Sequence, residues 1–390
     1  MPAAPTASHP STERAGSPGG GVSFIRGSGE GRYVFEVQSG IVQGGAQDIG
    51  PIDVKAYDYM RSILLFVQAT GGGGTTATFN SDAPFNAISY LRVKQPNGQT
   101  MYSVSNGHHA AMIHKYGLVR PTPFTDPRSN ISPITGANFA TATSGNFSFV
   151  LRIPFELDLR DALGSLPNKD AAAPFTLEIG LNSTTTIYSA NPATFPTIKI
   201  TPVLEAYDQP PESLDGRPVE TVPPNMNTLQ RWTEQSVTMV SGAFDARVRK
   251  LGNYVRELIF ITKNSSSVRQ TAANGWSDPM QIVLDEDVKD NVPLWLWAQD
   301  VAETWGYGAL YGGATSVAAL DTAGGPDTGV FPYQYCCDRD NPWVEDVAKY
   351  LPTIESEDYL LRGQSWGANV GKLVVLKCEV LPRGDIFGEA

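Results

Sequence analysis

The sequence predicts an all-β protein made of two tandem eight-stranded jelly-roll β-sandwiches, a double jelly roll, with short helices confined to loops. Three observations lead there. The 390-residue chain is turn-rich, with 38 Gly and 29 Pro, and 10% of it is aromatic. Together with many Val, Ile and Thr, this suits short strands joined by tight turns. No β-α-β alternation runs through it, so a parallel sheet is not expected. Third, one pattern recurs half a chain apart. Lys55-Ala-Tyr-Asp-Tyr-Met-Arg-Ser, then four apolar residues, matches Lys250-Leu-Gly-Asn-Tyr-Val-Arg-Glu, then four apolar residues, at an offset of 195. Each copy follows a first strand and opens a buried one. The halves also close alike, on TIKITPVLEAY and KLVVLKCEVLP. A period that long is no solenoid; it implies two copies of one domain. Eight antiparallel strands in two facing sheets bury both inner faces and protect the edges, which is a jelly roll. The repeat-equivalent core or interface positions are then Lys55, Tyr59 and Arg61 in one half and Lys250, Tyr254 and Arg256 in the other.

Along the chain, residues 1–32 are rich in Pro, Gly, Ser and Ala and bury too little apolar surface to offset their ordering entropy. They read as a flexible arm carrying Arg14, Arg26 and Arg32, with an assembly role. The first jelly roll is expected over 33–208. Its strands are Tyr33 to Gln38, Arg61 to Ala69, Ala87 to Lys94, Thr100 to Val104, Phe147 to Phe155, Phe175 to Leu181 and Ile198 to Tyr207. Pro96-Asn97-Gly98 between two alternating runs signals a hairpin. Gly71 to Gly74 reads as a mobile hairpin tip, since no Lys-[Ser/Thr] follows to make a phosphate loop. Asn106 to Tyr116 reads as a helix capped by Ser105 or Asn106 and stopped by Gly117. Leu157 to Leu166 reads as a second short helix. Pro210, Pro211, Pro218, Pro223 and Pro224 make 209–225 a stiff linker. The second jelly roll follows over 226–390. Its strands are Ser236 to Val240, Tyr254 to Lys263, Met280 to Leu284, Leu294 to Ala298, Tyr359 to Arg362 and Lys372 to Val380.

Charge narrows function. Asp and Glu number 40 against 29 Lys and Arg, a net charge of −11, the wrong sign for a body that grips nucleic acid. The N-terminus has no apolar h-region, so no secretory signal is expected. The longest apolar runs, Ile63 to Val67 and Val292 to Ala298, fall short of the ~20 residues of a membrane span. Cys336, Cys337 and Cys378 cannot form a disulfide framework and are expected as reduced thiols.

Several clusters invite chemistry and fail it. His108, His109 and His114 do not share the i, i+3 or i+4 spacing that would converge on one ion. Asp285, Glu286, Asp287 and Asp290 lack the order of a calcium loop and read as a solvated turn. Arg247, Arg249, Lys250 and Arg256 read as carboxylate-paired or solvated rather than as a phosphate site. Trp295 and Trp297, placed on a strand, would share one face; core or trimer-interface packing is favoured over a sugar platform. No catalytic set, cofactor motif or metal site emerges, so neither enzyme activity nor a cofactor is expected.

The chain resembles the major capsid proteins of tectivirus-like phages, which have an internal membrane. The resemblance lies, in order, in PNGQTMYSVSNGHHAAMIHKYG, in VLRIPFELDLRDALGSLPN with FTLEIGLNSTT, in the closing YDQPP, and in GVFPYQYCCDRDNPW before a final strand pair. It implies a homotrimer of six jelly rolls, a pseudo-hexagon that tiles an icosahedral shell in the virion after assembly in the host cytoplasm. The implied partners are the chain itself, in trimers and then a trimer lattice, and minor capsid, vertex and membrane proteins, with no direct nucleic acid binding. Family members can carry a helical membrane-facing arm; residues 1–32 are too rich in Gly and Pro for a helix, which leaves membrane or a neighbouring trimer as the arm's contact. The alternative from another class is a tandem β-sandwich lectin or adhesin using Trp295, Trp297 and loop carboxylates. A β-sandwich hydrolase lacks its acid pair.

Overall fold

The computed structural model describes residues 21–42, 44–80, 82–117, 144–224, 228–249, 252–270, 276–305, 329–337, 344–367 and 370–381. The principal strands of the first half are β1 (Glu30–Val34), β2 (Gln47–Asp53), β3 (Tyr59–Thr70), β4 (Ile88–Lys94), β5 (Thr100–Val104), β6 (Phe147–Pro154), β7 (Thr176–Leu181) and β8 (Thr197–Tyr207). Those of the second are β9 (Leu229–Thr238), β10 (Gly242–Arg247), β11 (Tyr254–Lys263), β12 (Met280–Leu284), β13 (Asp287–Val292), β14 (Val330–Gln334), β15 (Tyr359–Trp366) and β16 (Lys372–Leu381).

The two halves share one topology. In the first, one sheet runs β1-β8-β3-β6 and the other β2-β7-β4-β5; in the second, the sheets run β9-β16-β11-β14 and β10-β15-β12-β13. Counted within each half, both orders are 1-8-3-6 and 2-7-4-5, and the pairings inside each half are antiparallel. That is two jelly rolls. One parallel bridge, Trp232 to Tyr102, joins β9 to β5, so a sheet of one domain runs on into a sheet of the other.

Period-two alternation supplies the first core. On β3, Ile63, Leu65, Val67 and Ala69 point inward and are buried. They meet Phe149 and Leu151 of β6 and Ile198 and Ile200 of β8 within one apolar cluster, closed from the other sheet by Leu91, Val93, Leu177 and Ile179. Each such side chain contributes about 1.5–3 kcal/mol on burial. The second core centres on aromatic rings: Trp276 stacks on Phe331 at 4.0 Å and meets Trp297 and Trp366 edge-on, each at 5.4 Å.

Local signals hold in several places. Gly98, at φ 81°, turns the chain between β4 and β5. The helix Gly107–Tyr116 is capped by Asn106, whose side chain accepts the His108 amide, and stops at Gly117. Gly117 is required by a close approach, because an added Cβ would sit 2.7 Å from the Trp232 ring.

Other readings are corrected. Leu157 to Leu166 is not a helix. Asp158 accepts the Arg160 amide in a tight turn, and Ala162 and Gly164 take φ values of 63° and 86°, which no helix accommodates. Leu294 to Ala298 is not a strand but the start of the helix Leu294–Trp305, which follows Pro293 and is capped by Asp278 at the Leu294 amide. Gly71 to Gly74 is not a loose tip: the Gly72 amide donates to Asn146, Gly73 bridges Thr194, and a Cβ on Gly72 would meet the Ser144 carbonyl at 2.3 Å. Within the arm, Phe24–Gly27 forms one helical turn and Glu30–Val34 is a full strand of the first sheet, so residues 22–32 are part of the folded body. Arg26 and Arg32 lie in this stretch; Arg14 lies outside the described residues. The linker has structure of its own, a small hairpin pairing Ser213–Leu214 with Arg217–Pro218.

Candidate assembly site

The repeated motif marks corresponding points of the two domains. Tyr59 opens β3 and Tyr254 opens β11, the third strand of each domain. Each strand lies between the eighth and the sixth of its domain, and each beginning is flanked by a Leu-Pro pair, Leu166–Pro167 or Leu351–Pro352. Two residues on, the arginines make matching ion pairs. Arg61 Nε donates to Glu156 Oε2 at 2.8 Å, and Arg256 Nε to Glu345 Oε1 at 2.8 Å. Each carboxylate also accepts a tyrosine hydroxyl, from Tyr207 at 2.6 Å in the first domain and from Tyr350 in the second. Sequence reasoning missed Glu156 and Glu345. Both follow the sixth strand of their domain and precede the Leu-Pro pair, a signal legible only once the repeat is anchored.

The two copies are put to different use. Tyr59 holds the linker: its hydroxyl lies 3.2 Å from Gln209 Oε1 and 3.1 Å from the Thr221 carbonyl, while Phe24 packs edge-on against its ring at 5.1 Å. Pro210 and Pro223 are buried in this region, Pro224 is half-buried and Pro211 is exposed. Arg61 lies 4.3 Å from the Tyr207 ring and also pairs with exposed Glu30. Burial holds the Glu156 carboxyl above its usual range, although Arg61 pulls it down. Lys55 is exposed, its ammonium 5.4 Å from the Tyr57 ring; Lys250 lies outside the described residues.

Arg256 is buried and works between domains. It forks onto Glu345 through Nε and Nη2 at 2.8 Å each, reaches Glu257, and donates to the Gly117 carbonyl of the first domain at 3.1 Å. Burial pushes the Glu257 carboxyl well above the carboxylate range, against the pull of Arg256. Around it the junction is polar and closed. His109 meets Glu234 at 2.9 Å, Asp82 meets Arg269 at 2.9 Å, and Gln334 donates to the Tyr116 carbonyl. Burial alone would raise Glu234, but His109 and Ser105 overcome it and hold it down at about 2.

The remaining candidate clusters disperse. Arg247 pairs with Asp358 at 2.7 Å, far in role from buried Arg256. Asp285 accepts the amides of Glu357 and Asp358, so it closes a turn rather than waiting for a cation. Trp297 is buried and donates to the Pro332 carbonyl, whereas Trp295 is 64% exposed; a helix puts neighbours two apart on different faces, and no shared indole platform exists. All three cysteines are unbridged. Among the described residues, no helix is long and apolar enough to cross a membrane, and no three His, Cys, Asp or Glu side chains gather as metal ligands.

No protein-family model and no curated protein matches the sequence. Solved structures do match, across both domains in order. The crystal structure of the STIV MCP superposes with a TM-score of 0.60 and 14% identity over 93% of this chain and 100% of that one. The fold is that of the double-jelly-roll major capsid proteins. The atomic structure of Sulfolobus Turreted Icosahedral Virus gives 0.54 at 12% identity, over 90% of each chain. A quasi-atomic model of the PBCV-1 virus capsid gives 0.51 at 11% identity, over 90% of this chain and 93% of that one. At such identities the likeness is one of fold, and it spans both domains.

Proposed function

We propose that this chain is a major capsid protein, a non-enzymatic subunit that forms pseudo-hexagonal homotrimers and tiles an icosahedral viral shell in the virion. The likeness of nine-tenths of its length to the double-jelly-roll capsid structures carries the reading. Two equal jelly rolls in one chain suit the task, since three chains supply six similar lobes to a hexagonal lattice site. A heterologous ring contact closes such a trimer. Obligate interfaces of roughly 2,000–5,000 Å² then supply its cohesion. Trimer-to-trimer contacts are weaker and more polar, which lets assembly errors dissociate. The reading extends to a tectivirus-like phage shell over an internal membrane, with minor capsid, vertex and membrane proteins as further partners. The acidic net charge of −11 suits a coat separated from the genome by that membrane. In this reading residues 22–208 and 226–390 are the two tiles, 209–225 straps them together, and the preceding part of the arm, which includes Arg14, meets the membrane or a neighbouring trimer. The lectin alternative uses Trp295 and Trp297 with loop carboxylates, and the two indoles do not share a face.

Native mass spectrometry of the purified full-length chain tests this. A stable species at three times the 42.0 kDa chain mass is expected. A monomer that binds glycans would overturn the reading in favour of the lectin.

A further inference from the structure

We propose that a small cavity in the second domain, between β9, β16 and the segment that follows β10, binds an oxyanion of the phosphate class. Arg231, Arg249 and Lys377, from three separate stretches of chain, converge on it. One of their N–H groups is buried with nothing to donate to. The site lies within one chain and does not rest on how copies assemble.

Side chains alternate along β9, so Arg231, Thr233 and Gln235 share one face. Thr233 is level with Lys377 of β16 and Gln235 with Val375, and Val375 is in turn level with Phe260 of β11. Phe260 packs 5.8 Å from Trp276, so this is the core side of the sheet. Polar side chains therefore stand at the margin of an apolar interior. Gln235 pins the chain after β10 over them. Its Nε2 donates to the Arg247 carbonyl at 2.8 Å, and its Oε1 accepts the Arg249 amide at 2.6 Å. The Arg249 carbonyl in turn accepts Lys377 Nζ. The cavity so formed measures about 110 Å³, room for a small ion. Arg249, expected from the sequence to be carboxylate-paired or solvated, is thus brought to two cations from other strands.

Charge is out of balance there. Glu379 is level with Arg231, yet its Oε1 lies 2.7 Å from Lys377 Nζ. Glu234 also lines the cavity, but its oxygens take the Ser105 amide and hydroxyl and meet His109. The three cations against these two carboxylates leave one positive charge over, in a protein of net charge −11. Arg231 Nε is buried and has no hydrogen-bond partner among the described residues. A buried donor left so is costly. Burial holds the Lys377 ammonium below its usual range; Glu379 pulls it up, and Arg249 and Arg231 press it down further. An anion between the three relieves both strains. An ammonium has three donors, and Lys377 commits two, to Glu379 and to the Arg249 carbonyl, which leaves one for the ligand. Arg231 adds its Nε–H, and exposed Arg249 reaches in from the rim. Forked guanidinium donors match the several oxygens of a phosphate and not a spherical halide.

The test titrates inorganic phosphate calorimetrically into the full-length chain, in a chloride buffer free of other oxyanions. A single saturable site is expected. Arg231→Met and Arg249→Ala should each weaken it by about tenfold or more, as the loss of a charge-assisted hydrogen bond implies. Arg249→Ala, at an exposed position, is the variant least able to disturb folding and should melt like the wild type without phosphate. Adenosine monophosphate separates the two sources of the group. Its rejection marks the free ion as the ligand, and binding equal to that of phosphate marks the phosphate end of a larger molecule; either result supports the site. No saturable binding to the wild type, or wild-type affinity in both variants, would overturn the proposal. Neither outcome bears on the trimer, which is read by mass.

Discussion

Arg256→Met should lower the unfolding free energy by about 3–5 kcal/mol, the usual cost of removing one partner from a buried ion pair. The Glu345 side chain is 1% exposed and would be left buried without its ion-pair partner. The Gly117 carbonyl would lose its donor at the same time, which loosens the domain junction. Denaturant unfolding followed by fluorescence reads the change as a lower midpoint at unchanged slope. Adding Glu345→Gln should recover part of the loss by replacing the stranded carboxyl with a neutral amide. Arg61→Met, at the corresponding position, should cost clearly less: its side chain is 14% exposed and one of its partners, Glu30, is 64% exposed, so water screens the pair. Equal losses at the two sites would mean that burial does not set their different weights.

Trp297→Ala should cost about 3–5 kcal/mol, as expected for an aromatic side chain removed from a packed core. It lies 5.4 Å from Trp276 and 6.3 Å from Phe331, and its indole N–H donates to Pro332 at 2.9 Å. Trp295→Ala, two residues away, should change the stability of the single chain by no more than about 0.5 kcal/mol, because it is a surface substitution. Comparable losses from both would contradict the helical placement of this segment.

That segment also illustrates what the sequence made legible. Val292 to Ala298 is apolar throughout, and a short apolar run cannot distinguish a strand from a helix. The deciding signal was the longer spacing of Leu294, Trp297 and Val301, which puts three core-facing residues on one helical stripe. Strands buried at the centre of their sheets were readable: β11 and β12 run from Tyr254 to Lys263 and from Met280 to Leu284, as their apolar runs suggest. Four principal strands that went unread, Gln47–Asp53, Gly242–Arg247, Asp287–Val292 and Val330–Gln334, stand at sheet edges. Edge strands need fewer apolar residues and tolerate Pro and charge, as Pro51, Lys289 and Pro332 do here. The repeat anchored the candidate site through Tyr59, Arg61, Tyr254 and Arg256. It could not disclose Glu156 and Glu345, because ion-pair partners 95 and 89 residues away depend on tertiary pairing.

Electron microscopy of the purified oligomer, viewed down its symmetry axis, tests most directly whether two jelly rolls per chain build a hexagonal tile. Six lobes of similar size around one centre, contributed by three chains, are the predicted result. A particle with three lobes, an open filament or a solitary two-lobed chain would contradict it.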